Sequence, residues 1–234
     1  MQTITQQQLN AICKNGKAID SKGGYPAVVL HPDGSVTKIW ARKKKLFSTS
    51  RIFPYSSRFI RNAHTLAARG ITVPTILNHA KLKNSHIRIV TYQSIQGKSI
   101  RELLEKNPQQ VNMESLCRFI LKLHDKGILF RGMHFGNIIQ LDSGDYGLID
   151  FTDVTFFRKS VPILRRAANI AFPIRYRKDV KRIKKAKLPG LRKTYTKLLN
   201  LKKPAKKEFR QTFRSYKKRR KTPGIFISSP RCRW

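Results

Sequence analysis

The spacing of apolar and polar residues changes period along the chain, and each change marks an element. Residues 27–30 are a short apolar run, and His31-Pro-Asp-Gly34 has turn chemistry. Val36, Lys38 and Trp40 then alternate with Ser35, Thr37 and Ile39. The stretch from residue 27 to 38 therefore predicts a hairpin, preceded by a glycine turn at Ser21-Lys-Gly-Gly24 between two further strands. Residues 56–69 shift to helical spacing, with Phe59, Ala63, Leu66 and Ala67 on one face and Gly70 placed to end the helix. Residues 86–92 return to alternation, with Ile87, Ile89 and Thr91 opposite Arg88, Val90 and Tyr92. Ser99 and Glu102 have the spacing of a capping box for a short helix through Leu104. Residues 112–126 give the clearest helix, with Leu116, Phe119, Ile120 and Leu123 as its stripe and Gly127 as its stop. Two short apolar segments follow, 137–141 and 146–151, joined by the turn signal Asp142-Ser-Gly144-Asp145.

Taken in order, these elements predict an α+β chain: a small β-rich N-terminal lobe at 1–92, and a mostly helical C-terminal lobe at 93–201. The lysine-rich, proline-punctuated remainder at 202–234 reads as a loose basic tail. The segments after Val161 read as helical and basic. No internal repeat is present.

Composition changes this picture through charge. Fifty Lys and Arg against twelve Asp and Glu give a formal charge of +38 on 234 residues. Acidic residues concentrate between Lys98 and Asp153, and from Arg158 onward only Asp179 and Glu208 are acidic. Such a balance implies an anionic partner: nucleic acid, an anionic membrane surface or a phosphorylated substrate such as a phosphorylated saccharide. Charge does not choose among them. Tyr176, Phe209, Phe213 and Tyr216 interleave with the basic residues, which suits base stacking or interfacial insertion. No stretch is long and apolar enough to span a membrane, and the polar start MQTITQQQLN lacks the regions of a secretory signal. The expected location is cytoplasmic, with a peripheral inner-membrane position open. Cys13, Cys117 and Cys232 are scattered, with no metal-ligand spacing, and read as reduced thiols.

Candidate chemistry lies where a long helix delivers a loop ending in Asn137 and a tight hairpin then delivers Asp150. Asn137 and Asp150 are thirteen positions apart in sequence, and the hairpin brings their side chains near each other. An amide oxygen beside a carboxylate suits magnesium, which takes hard oxygen donors. Lys38, at the end of an N-lobe strand, is placed to reach nucleotide phosphates. This is the layout of kinase metal ligands.

The loop Phe130-Arg-Gly-Met-His-Phe-Gly-Asn137 resembles the H-G-D-x-H-x-x-N loop of the aminoglycoside-phosphotransferase branch of small-molecule kinases. With Gly147-Leu-Ile-Asp150, Pro54-Tyr-Ser-Ser-Arg-Phe-Ile-Arg-Asn62 and Arg165-Arg-Ala-Ala-Asn169, it is more closely similar to the lipopolysaccharide-kinase and toluene-tolerance group of bacterial proteins. The resemblance spans roughly residues 17–195 and implies a protein-kinase-like fold, ATP, Mg2+ and phosphorylation of inner-core sugars at the inner membrane. It assigns Lys38, Asn137 and Asp150 to the nucleotide, and Asn137 and Asp150 to the metal.

The chain departs from that pattern at two positions. Where the family has a catalytic-loop Asp, five positions before the Asn, this chain has Gly132, which has no side chain to accept a proton. The helix that normally offers a Glu to the strand lysine has no acidic residue between Ser56 and Arg69, leaving Asn62 as stand-in. His134, with an ordinary pKa of about 6.5, and Asp153 are the candidate bases. His124 reads as packing beneath the loop. Arg131 reads as a loop buttress, with contact to a substrate phosphate as the alternative. Functions from three classes follow: a saccharide phosphotransferase, a pseudokinase scaffold, or a kinase-fold protein that binds nucleic acid or another polyanion through its basic C-terminal region.

Overall fold

A computed structural model describes residues 1–22, 24–41 and 54–218, with backbone alone for 20–22 and 218. The part of the glycine turn at Gly23, Cys232 and the last sixteen positions of the basic tail lie outside the described residues. So do residues 42–53, within the resembling stretch.

The N-terminal lobe is a sheet of six strands with two helices. In chain order these are β1 (Gln2–Ile4), α1 (Gln6–Lys14), β2 (Lys17–Lys22), β3 (Tyr25–Leu30), β4 (Ser35–Trp40), α2 (Tyr55–Ala68), β5 (Thr75–Leu82) and β6 (Arg88–Gln93). The strand order is β1-β5-β6-β4-β3-β2. Among the described strands of this sheet, β1 and β5 pair in parallel and the other neighbours antiparallel. The predicted hairpin is β3–β4, closed by Gly34 at φ +77° and by Asp33, whose carboxylate accepts the Ser35 N–H at 2.8 Å. One face of this sheet packs Leu9, Val29, Ile39, Ala80 and Ile89 into a small core of its own.

The C-terminal lobe follows as β7 (Lys98–Ser99), α3 (Ile100–Lys106), α4 (Met113–Asp125), β8 (Ile128–Phe130), β9 (Ile138–Gln140), β10 (Tyr146–Leu148), β11 (Val154–Phe156), α5 (Ile163–Ile170), α6 (Arg177–Lys185), α7 (Leu191–Leu198) and α8 (Lys203–Lys218). The capping box forms as the sequence predicts: Ser99 accepts from the Glu102 N–H, and Glu102 reaches back to the Ser99 N–H at 2.8 Å. The stripe of α4 is buried along its length and centres the main core. The whole is a two-lobed α+β architecture of the protein-kinase-like kind. Among the described residues, no helix is long and apolar enough to cross a membrane.

The lobes meet through α2. Phe59 stacks on Phe151 with centroids 4.5 Å apart and planes 13° from parallel, and also packs against Trp40 and Tyr92. Leu148 N–H donates to the Thr72 carbonyl at 2.9 Å, tying the segment after α2 to the C-lobe hairpin.

The chain after Lys202 differs from expectation. Lys203–Lys218 is a helix, and its Phe209 and Phe213 are 0% and 4% exposed. Phe209 stacks near Tyr195 of α7, with centroids 6.1 Å apart. The Arg175 guanidinium donates to the Tyr216 carbonyl at 2.9 Å. Two phenylalanines four positions apart lie on one helical face. Burying them offsets the disorder that the surrounding lysines favour.

Candidate functional site

Strand β4 is interior to the sheet, where Lys38 pairs across to Val28 and Val90. Its side chain leaves the sheet toward the C-lobe and ion-pairs with the Asp150 carboxylate. Its ammonium lies 5.6 Å from the Trp40 ring and 5.7 Å from the Phe59 ring. Two residues 112 positions apart thus meet at the mouth between the lobes. Asp150 is 52% exposed, so water screens the pair and it adds little to stability.

Asp150 has φ +50°. This left-handed conformation costs a non-glycine residue of order 1–3 kcal/mol and persists only where neighbours impose it. The neighbours here are identifiable. Phe151 is fully buried against Phe59, and the Asn62 amide donates to the Phe151 carbonyl at 2.9 Å and the Thr152 carbonyl at 3.1 Å. Asn62 therefore braces the turn after Asp150, and the partner of Lys38 is Asp150. The expected pairing of Asn62 with Lys38 is not formed here: its amide nitrogen serves these two carbonyls, its Oδ1 is buried without a hydrogen-bond partner, and the Lys38 ammonium bonds Asp150.

The β9–β10 hairpin pairs Ile138 with Leu148, and Ile149 N–H donates to the Asn137 carbonyl at 3.1 Å. Asn137 is thereby opposite Ile149, with Asp150 next along the chain. The Asn137 side-chain amide donates to the Gly132 carbonyl at 3.0 Å, closing the loop and leaving the amide oxygen as its uncommitted acceptor. Among the described residues, no three His, Cys, Asp or Glu side chains gather to hold a metal alone. Magnesium commonly takes only one or two protein oxygens and completes its shell with substrate phosphates and water. An Asn oxygen and an exposed carboxylate fit that requirement.

His134 is half-buried on the same loop. Its Nδ1 accepts the Gly136 N–H at 3.1 Å, and its ring lies 5.2 Å from Tyr176. Burial, aided by the nearby Arg101 cation, holds its pKa below the ordinary value, while Asp150 and Asp179 pull weakly the other way. Asp153 is exposed and 3.5 Å from the Arg131 guanidinium, and its carbonyl accepts the Arg131 N–H at 2.9 Å. Arg131 is thus engaged with the segment that follows Asp150, in line with a buttressing role.

Gly132 does not have a positive φ. A Cβ there would meet Phe130 Cε2 at 3.2 Å and Asn137 Nδ2 at 3.8 Å. The backbone accepts a side chain, and the cost is a small shift of the buried Phe130 ring. Gly132→Ala is expected to lower stability by only about 1 kcal/mol, read as a shift in the denaturant midpoint. A loss of several kcal/mol would show that the loop has no room.

Beneath the loop is a buried polar chain. The Asn169 amide donates to the Phe130 carbonyl at 2.8 Å, which fixes Asn169 Oδ1 as the acceptor for His124 Nε2 at 2.9 Å. His124 Nδ1 then accepts from the Tyr195 hydroxyl at 2.6 Å. The predicted packing of His124 under the loop holds, and it is specified to one neutral tautomer.

Sequence reasoning missed Arg101 and Asp179. Arg101 of α3 bonds the Asp179 carboxylate of α6 through Nε at 3.1 Å and Nη2 at 3.0 Å, and its guanidinium lies 4.6 Å from the Tyr176 ring. Its backbone N–H donates to the Phe135 carbonyl at 3.0 Å. A signal was present, since Asp179 is one of two acids in a long basic stretch. Of the four interleaved aromatics, expected to stack on bases or enter a membrane, two are withdrawn from solvent. Phe209 and Phe213 are in the core, and Tyr176 lies between Arg101 and His134. Of the thiols, Cys13 is half-buried, and burial pushes the buried Cys117 up to about 12, as suits unreactive groups.

No family model and no curated protein matches the chain. It is similar to solved structures of WbdD. The monomeric form is 14% identical, with a TM-score of 0.46, over 79% of this chain and 42% of that one. A structure described as the bifunctional kinase-methyltransferase WbdD is 15% identical, with a TM-score of 0.46, over 80% and 46% respectively. A higher-resolution form is 14% identical, with a TM-score of 0.44, over 85% and 50%. This chain spans half or less of the length of those proteins.

Proposed function

We propose that the chain is a magnesium- and ATP-dependent phosphotransferase acting on an anionic saccharide. The observation that carries this reading is the meeting of Lys38 and Asp150 at the lobe junction, with Asn137 brought alongside by the hairpin. Lys38 would bind the nucleotide phosphates. Asn137 and Asp150 would hold the metal. A bound magnesium ion would neutralise phosphate charge, and positioning with charge neutralisation is most of what phosphoryl transfer asks of a protein. His134, kept neutral near pH 7 by burial, would take the acceptor proton at Nδ1, which requires the acceptor hydroxyl to displace the Gly136 N–H bonded there; Asp153, whose carboxylate is exposed, is the alternative. A cavity of about 260 Å³ lined by Arg58, Arg61, Arg131, Thr152 and Asp153 adjoins this loop. Its three guanidiniums support an acceptor that already carries phosphate or carboxylate.

Calorimetry with ATP and magnesium tests the assignment. Wild type is expected to bind, and Asp150→Ala to weaken binding about tenfold or more, equivalent to roughly 1.4 kcal/mol. Equal affinity in the two proteins would remove Asp150 from the site. His134→Ala is expected to lower turnover while keeping nucleotide affinity, and to remove an ionisation below the ordinary histidine range from the pH–rate profile.

Gly132 favours a second reading, a pseudokinase scaffold, because the position beside Asn137 has no side chain. Gly132→Asp separates the two. A phosphotransferase short of a base is expected to gain turnover with unchanged nucleotide affinity. If wild type and variant both bind nucleotide and neither transfers phosphate, the scaffold reading takes its place.

A further inference from the structure

Away from the lobe junction, α6, α7 and α8 line an open cavity of about 500 Å³, within the range of about 300–1,000 Å³ typical of small-molecule sites. Its floor is hydrocarbon. Ile183, Leu191 and Phe213 are buried there, and Ile174, Val180 and Leu188 are half-buried. Its rim is cationic, formed by Arg177, Lys181, Lys184, Arg192, Lys193 and Lys217, and among the described residues no Asp or Glu lines it. The Arg192 guanidinium lies 5.6 Å from the Phe213 ring, at the boundary between rim and floor.

These two halves ask for different chemistry in one ligand. A merely solvated basic face would have no reason to surround an aliphatic hollow. A surface for single-stranded nucleic acid presents exposed aromatic faces to bases, whereas the aromatic ring here is sunk in the floor. An aliphatic chain beneath an anionic head satisfies both halves: the chain leaves water in the hollow, and the head meets the cations that anionic bilayers attract. We propose that this cavity takes one acyl chain of an anionic membrane phospholipid, with the headgroup phosphate held by the rim lysines and arginines. The proposal is independent of the phosphotransferase reading.

Gly190 provides a clean probe. It lines the cavity, has φ −73°, and an added Cβ there would meet nothing within 4 Å. Gly190→Leu therefore adds a bulky side chain at a position that lines the cavity without straining the backbone. The full chain is titrated by calorimetry with dihexanoyl phosphatidylglycerol, dihexanoyl phosphatidylcholine and glycerol phosphate, each as monomers, and with an oligouridylate. Phosphatidylglycerol is expected to bind about tenfold or more tightly than the other two lipid-derived probes. Gly190→Leu is expected to weaken it about tenfold. Lys181→Glu with Lys184→Glu is expected to remove the preference over phosphatidylcholine. Sedimentation with phosphatidylcholine vesicles, with and without phosphatidylglycerol, is expected to follow the same order. The proposal fails if phosphatidylglycerol does not bind, or binds no better than glycerol phosphate. It also fails if Gly190→Leu leaves phosphatidylglycerol binding unchanged while abolishing oligouridylate binding. Binding seen only when Ile225, Phe226 and Ile227 are all changed to Ser would overturn it too, by making the tail the occupant.

Discussion

Replacing His124 with alanine is expected to cost about 3–5 kcal/mol of stability, a drop of roughly 10 °C in Tm for a protein of this size. The side chain is fully buried, and both ring nitrogens are used, one by Tyr195 and the other by Asn169. Removing it leaves a cavity and two buried polar groups without partners. Wild type should report the same histidine through pH. Burial, the leading cause, depresses its pKa to about 4, with Arg166 adding to the depression and Asn169 and Asp125 opposing it. A depressed histidine is neutral in both states above about 6.5, so it gives no pH dependence there. As pH falls below that value, the unfolded chain takes up a proton that the folded chain refuses, and stability declines until the pH nears 4. The total is about 3 kcal/mol. His79 is lowered as well, mainly by burial, and contributes in the same direction. Denaturant midpoints collected from pH 7 to 4 should fall in wild type and fall much less in His124→Ala. Parallel profiles would mean that His124 titrates freely.

Asp179→Ala is expected to cost about 3 kcal/mol, the usual scale for breaking a buried ion pair from one side. The carboxylate is 2% exposed and holds Arg101 at 3.0 Å and Arg182 at 3.4 Å. Arg182 also pairs with Glu105, one turn after Arg101 on the same face of α3, so the loss loosens the α3–α6 seam as a unit. Glu114→Ala is the matched control. Its pair with Arg118 is exposed on both sides, and such i,i+4 pairs are worth about 0.3–0.5 kcal/mol. The functional effect should exceed what the stability loss alone implies. Arg101 steadies Phe135 through its backbone and Tyr176 through its guanidinium, and Tyr176 flanks His134. Nucleotide affinity in Asp179→Ala, measured where the protein remains folded, is expected to fall although Asp179 is not assigned to the nucleotide. Unchanged affinity would confine Asp179 to a packing role.

Local chemistry made much of the fold legible. The capping box at Ser99, the turn at His31-Pro-Asp-Gly34 and the stripe of α4 are decided by residues within a few positions of one another. The meeting of Lys38 with Asp150 was legible only as an analogy of layout, because no local rule joins residues so far apart. Strand β5 was missed because Thr75–Leu82 shows no clean alternation; its burial is irregular along the strand. Helix α1 was missed because Leu9 is its one buried side chain, although Thr5 and Gln8 carry a capping-box signal that was there to be read. Helix α8 was hidden by composition, with two core phenylalanines set among lysines and arginines. The Arg101–Asp179 pair was hidden for a different reason. Among fifty cations, one carboxylate does not reveal which of them it will meet.

The burial of Phe209 and Phe213 also sets an order of events during synthesis. Domains fold as units while the chain emerges N-terminus first. The N-lobe sheet is complete in sequence once Gln93 has emerged. The helical lobe has to wait for the far end of α8, because Phe209 covers Tyr195 and Tyr195 in turn fixes His124 under the loop that ends at Asn137. A ribosome-bound chain that stops at residue 202 would hold an assembled sheet above an open, apolar helical half, the kind of intermediate that chaperones recognise. Shortening the finished protein at that point would recreate this half-made species, so a truncation that keeps the fold has to retain α8.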